Sequence, residues 1–288
     1  MAFRKLTDFI QADVITGFIQ DKLYASTVAR MITSNPSRAT LGKGSSYKIP
    51  GTGTLTVNDY SGNTVTPQNL TSTNETIAMD QFPFVNFFLE DSDVDEATAL
   101  YLAGVYAGEA GEAIAQAIDK YVLRKIKAGA VAAATGLGVT ATPIQLNSNI
   151  KVLDYLQLFA TTLKENNIES DVAIVVPPFM EIAVTRELGV TASNQSVSGM
   201  IEPGKIGHLF GCDIYSSTNL PAGVADTLVA GEIAVLGGKR STFHTVEGLM
   251  IVKAGDAEGR PATWNQFGQV YGADFSNANG WYTGIVKK

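Results

Sequence analysis

The chain has 288 residues, of which 45% are hydrophobic and only 17% charged, with a formal net charge of −7. That length supports one large or two modest cored domains and the apolar share excludes wholesale disorder; the acidic balance argues against a nucleic-acid binder lined with basic residues. The single cysteine, Cys212, rules out an internal disulfide framework and fits a reducing compartment.

The opening segment has apolar residues at helical spacing: Leu6, Phe9, Ile10, Val14 and Phe18, then Leu23 and Val28. This reads as an amphipathic arm ended by the turn-like Ser34-Asn35-Pro36-Ser37. It lacks the continuous apolar core and small-residue cleavage site of a secretory signal. From Leu41 to Glu90 the composition shifts to Thr, Asn and Gly. Tyr47, Ile49, Leu55 and Val57 share one strand face, "NDYSGN" makes a turn, and the chain returns through "NETIAMDQFPFVNFFLED". A long two-stranded hairpin is expected here. Such a hairpin is marginal alone, so its apolar face needs a partner.

Residues 92–128 read as one long helix with acids at its start and Lys120, Arg124, Lys125 and Lys127 at its far end, as the helix dipole favours. Ser92 and Asp95 form a capping-box-like start. Val94, Tyr101, Val105, Ile114, Ile118, Tyr121 and Val122 form its apolar stripe, while Gly104, Gly108 and Gly111 suit a closely packed neighbour. Ala97 to Ala117 is the most membrane-like stretch, but Glu109 and Glu112 interrupt it, so a soluble protein is expected. Residues 130–245 read as a mixed body. It holds a helix in "NSNIKVLDYLQLFATTLKENN", a buried strand in "DVAIVVP", a proline-started helix in "PPFMEIAVTRELG", and further strands. Residues 246–288 are again strand-rich.

Chemical motifs were weighed against plainer readings. "GKIGHLFGCDIYSSTNLPAG" (204–223) is glycine-rich and carries a lysine, yet Ile206 follows Gly204-Lys205 where a phosphate loop needs Ser or Thr, and no helix follows. Its glycines are expected to allow tight turns between short strands. Asp91-Ser92-Asp93-Val94-Asp95 begins like a calcium loop, but Glu96 and Leu102 stand where glycine and glutamate belong, so helix capping explains the acids better. His208 and Cys212 would need carboxylates to complete a zinc site, and His244 is the other histidine. There is no G-x-S-x-G elbow. No catalytic, cofactor or metal residues are assigned.

The order of elements, and the spaced text Gly204-x-Ile206-Gly207, Gly211-x-x-Ile214, Ser216-Ser217 and Leu220-Pro221 between "AIVVPP" and "VAGEIAVLGG", resembles the major capsid proteins of tailed bacteriophages. The resemblance implies an α+β HK97-like capsid fold. Residues 1–40 would be its N-arm, 41–91 an E-loop hairpin and 92–129 a peripheral domain with the spine helix. Residues 130–245 would be the mixed α/β axial domain, and 246–288 strands returning to the peripheral domain.

It further implies a non-enzymatic subunit that assembles with itself into pentamers and hexamers of an icosahedral shell around double-stranded DNA. That DNA would be bound without sequence specificity, and neither a cofactor nor a membrane is involved. The virion capsid is the location, with assembly in the host cytoplasm; portal and decoration proteins are partners. A scaffolding protein encoded separately is expected because the chain starts directly at the arm. Lys43 and Lys48 lie in the hairpin, but no motif marks a covalent cross-linking pair. An encapsulin-type nanocompartment shares the fold, and gene neighbours would separate the two. A Thr/Gly-rich surface-layer protein or adhesin would carry a secretion signal, and a hydrolase using paired carboxylates would show a recognisable site.

Overall fold

The computed structural model describes residues 27–34, 42–51, 73–90, 96–132, 136–140, 142–146, 151–187, 205–256, 259 and 262–287. In chain order these form α1 (Ala29–Ile32), β1 (Ser46–Gly51), β2 (Thr73–Ala78), β3 (Phe84–Glu90), α2 (Glu96–Gly129), β4 (Val131–Ala132) and β5 (Ile144–Gln145). There follow α3 (Val152–Glu165), β6 (Val172–Val176), α4 (Pro178–Glu187), β7 (Lys205–Leu209) and β8 (Cys212–Ser216). The chain closes with β9 (Glu232–Lys239), β10 (Phe243–Asp256), β11 (Ala262–Phe275) and β12 (Trp281–Lys287).

A seven-stranded mixed sheet forms the body, in the order β4-β12-β9-β6-β8-β7, with β5 also paired to β12. Its central strand β6, "VAIVV", is buried on both sides, and alternation divides its residues between two cores. Val172, Ile174 and Val176 face α3 and α4, while Ala173 and Val175 face the side covered by α2. Helix α3 buries Val152, Tyr155, Leu156, Phe159, Ala160 and Leu163, a run of three-and-four spacings that makes one continuous face. Gly237 leaves room for the ring of Phe159 against the sheet. A Cβ there would stand 2.4 Å from the ring.

Helix α2, about 50 Å long at 1.5 Å per residue, runs across the opposite face and joins the body to a second sheet, β10-β11-β3. Ile114, Ile118, Val122 and Ile126 are its buried stripe; Val105, expected in that stripe, is 44% exposed. The basic end expected of this helix is engaged. Arg124 pairs with Asp226, Lys127 donates to the Asp226 carbonyl and Lys125 lies 3.9 Å from Asp274. Among the described residues no helix is long and apolar enough to cross a membrane.

The single long hairpin expected over 41–90 is divided in two. β1 and β2 pair antiparallel from Ser46↔Ala78 to Gly51↔Thr73, and the parity holds: Tyr47 and Ile49 turn inward, Ser46 and Lys48 outward. Leu55, Val57 and the "NDYSGN" turn lie outside the described residues. Beyond Ala78 the chain leaves β1. Gln81 bridges Tyr271, Pro83 has no N–H to extend a ladder, and β3 pairs with β11 from Phe84↔Gly268 to Glu90↔Ala262. The base of the hairpin is fixed to the subunit's own body through a small core of Ile77, Met79, Val246 and Val270. The 246–288 segment is likewise divided by pairing. β10 and β11 form the second sheet, whereas β12 lies between β4 and β9 in the body. Most of the 1–40 arm lies outside the described residues; Thr27–Ser34 is packed against α2 and β10.

Candidate functional site

Among the described residues, the outer face of β3 holds two aromatic side chains more than half exposed. Alternation along "FVNFFLE" sends Val85 and Phe87 inward, where the Phe87 ring lies 5.4 Å from Phe267 and 5.5 Å from Tyr106. The opposite residues, Phe84 and Phe88, are 54% and 56% exposed. Val105 and Tyr106 on α2 are also more than two-fifths exposed. Among the described residues no strand pairs with the second edge of β3, and Phe84 and Phe88 lie along it, each more than half exposed. Proteins that work as isolated monomers normally blunt such an edge with charge, proline or a covering element. Phe82 packs against the small core under the hairpin, while Phe84, its ring centroid 6.1 Å from that of Phe82, stays on the open face. The Phe87-Phe88 doublet was the available signal, since adjacent strand residues must face opposite sides.

The glycine-rich stretch is a hairpin of β7 and β8. Phe210 and Gly211 both have positive φ, 56° and 84°, which is the two-residue turn that matches the twist of paired strands. These glycines serve backbone geometry. Across this hairpin Asp213 accepts from Arg240 and His208, with Lys205 Nζ at 3.5 Å. Burial pushes the Asp213 carboxyl up, but His208, Arg240 and Lys205 outweigh it and hold the group below 3.8.

His208 and Cys212 do not converge. His208 is exposed on the Asp213 side, whereas Cys212 is buried in the core under α3 and its thiol is pushed up by that burial. Among the described residues no group of three or more His, Cys, Asp or Glu could hold a metal ion. The acids at 91–95 lie outside the described residues. The third place to test is His244, whose Nε2 is 3.1 Å from Ser276 Oγ. Ser276 already donates its hydroxyl hydrogen to the Thr242 carbonyl, so the histidine must be the donor and Ser276 the acceptor. A serine held that way is not activated as a nucleophile. Lys43 and Lys48 are exposed on the hairpin base.

The arrangement therefore offers surfaces for association. The family model described as phage capsid protein matches residues 92–284, more than half of the chain. The chain belongs to the phage capsid protein family. It is a major capsid protein, a structural subunit of the phage shell, and its place is the virion capsid. Its HK97-like fold is shared with the Mycobacterium phage Che8 structure at 20% identity, with 89% of this chain and 90% of that one covered and a TM-score of 0.63. The capsid structure of the Cyanophage P-SCSP1u aligns at 17% identity over 86% and 85% of the two chains, TM-score 0.57. A virus-like particle from Pyrococcus furiosus aligns at 12% identity over 94% and 96%, TM-score 0.55. No curated protein matches the chain in sequence.

Proposed function

We propose that this capsid protein forms pentameric and hexameric capsomers of an icosahedral shell closed around double-stranded DNA, and that the outer face of β3 is one of its inter-subunit contacts. The observation that carries the contact is the exposed pair Phe84 and Phe88 on a strand edge unpaired among the described residues. Each such ring contributes about 1.5–3 kcal/mol when fully buried, enough for a repeated contact to drive closure. In this reading the N-terminal segment is the N-arm and the hairpin beyond β1 and β2 the E-loop, both reaching neighbours, while 92–129 with β3, β10 and β11 makes the peripheral domain and β12 returns to the body sheet. Residues 130–245 are the axial domain, gathered at the capsomer centre.

Sparse charge fits this role, because a charged group buried between subunits must be paired to offset its lost hydration. A net charge of −7 fits a container that does not hold its DNA tightly. The shell is held without covalent cross-links, has no catalytic activity, and is assembled in the host cytoplasm with separately encoded scaffolding, portal and decoration proteins. Electron micrographs of the purified full chain, alone and co-expressed with its phage's assembly proteins, are the test. Closed shells with five- and six-fold capsomers are expected. A monodisperse monomer under both conditions overturns the reading. An encapsulin-type container has the same fold, and the family match favours the phage shell over it.

A further inference from the structure

Asp119 sits midway along α2 and is 1% exposed. Both of its oxygens face the Thr27–Ser34 turn. Oδ2 accepts the Val28 N–H at 3.2 Å and Oδ1 the Ala29 N–H at 2.9 Å, across about ninety residues of chain. Asn219, in the loop after β8, adds its side-chain amide. Arg30 belongs to the same turn, but it forks onto Glu247 of β10, which also accepts from Gln269. Asp119 has thus given up water for backbone N–H groups and one neutral amide, while the cation beside it serves another acid. A carboxylate in that position carries a desolvation penalty that hydrogen bonds offset only in part. The rest of the turn is held by neutral contacts. Thr245 donates to Thr33, and Ser34 bridges His244.

We infer that Asp119 is a proton-governed clasp between the Thr27–Ser34 turn and α2: protonated it holds the turn firmly, and ionised it loosens it. A protonated Asp119 keeps a carbonyl oxygen for the Ala29 N–H and, once the Asn219 amide turns over, donates its O–H to the Asn219 side-chain oxygen; the Val28 N–H keeps the hydroxyl oxygen as a weaker acceptor, and no buried charge is left behind. Burial lifts the carboxyl from 3.8 to about 6, against the lowering effects of the Ala29 and Val28 N–H groups, Asn219 and the Arg30 charge. If the turn lifts away, water reaches the carboxyl and its affinity for the proton returns toward the ordinary value. The closed form then binds the proton more tightly than the open one, so protons favour closure. Closure is strongest below pH 3.8 and weakens as the pH rises through about 6.

Hydrogen–deuterium exchange of the full-length assembled protein, followed in peptides covering 27–34 and corrected for intrinsic exchange rates, tests this. Protection in the parent protein is expected to fall by about tenfold between pH 5 and pH 7.5. D119N, a neutral isostere, should show a flat profile and at pH 7.5 match the parent at pH 5. D119A, which removes the acceptors, should be weakly protected at both. A carboxylate acting as a simple charged cap would give the reverse order, with D119N less protected than the parent at pH 7.5, and that result overturns the inference. Should D119N fail to fold, the parent profile still decides: protection that is flat, or greater at pH 7.5, overturns it equally.

Discussion

Two strands of this subunit carry similar apolar text and meet opposite fates. In β6, "VAIVV", all five residues are buried, because α3 covers one face of the body sheet and α2 the other. In β3, "FVNFFLE", only the inward set is covered, and Phe84 and Phe88 are left about half exposed. The first strand spends its apolar surface on folding the subunit. The second keeps part of it for association, which is how a shell subunit must divide its hydrophobic residues. The contrast predicts that large apolar side chains in the two places, when removed, will produce different failures.

The largest effect belongs to the body. Phe159→Ala deletes a ring that is fully buried between α3 and the sheet, and should lower subunit stability by about 3–5 kcal/mol. Soluble subunit and shells should be lost together, as seen by thermal unfolding and sedimentation. Next come changes meant to spare the subunit. Replacing 52–72 with a short Gly/Ser linker keeps both paired strands and the Ile77–Met79 anchor, so cooperative unfolding should persist while closed shells disappear. Normal shells from this variant would show that the hairpin tip is not an inter-subunit clasp. Phe84→Ser combined with Phe88→Ser should lower subunit stability by about 1–3 kcal/mol in total, less than Phe159→Ala, since about half of each side chain is already exposed. Shell yield in sedimentation should drop by at least tenfold. A variant that unfolds as readily as Phe159→Ala would place the β3 face inside the subunit's own core and erase the contrast.

Elements governed by local periodicity were legible in the sequence. The long helix, both body helices, β6 and the β7–β8 hairpin follow from residue spacing and turn chemistry that each segment carries within itself. The division of the 41–90 hairpin was not legible, because the choice of β3 between β1 and β11 depends on a strand some 180 residues later. Pro83 marked the break but not the new partner. The placement of β12 between β4 and β9 was hidden for the same reason, as strand pairing over long separations leaves no periodic trace. Asp119 was passed over because one acid in an otherwise amphipathic helix looks like a solvent-facing residue. Its partners, Val28 and Ala29, offer only their backbone N–H groups, which no sequence pattern reports.

The smallest expected effect separates surface charge from both kinds of apolar burial. Asp213 lies on the β7–β8 hairpin with His208, Lys205 and Arg240 around it, and its side chain is one-fifth exposed. Partly exposed pairs are screened by water and salt, so Asp213→Asn should lower stability by about 1 kcal/mol or less at neutral pH. Because the folded protein holds this carboxyl below 3.8, its contribution is present above that value and is lost as the pH falls through the folded value. Parent and variant should therefore differ at pH 7 and converge in strong acid, and added salt should narrow the gap at pH 7. Thermal unfolding of both proteins across that range measures it. A gap of several kcal/mol, or one that persists in acid, would mean that Asp213 is held by packing rather than by charge.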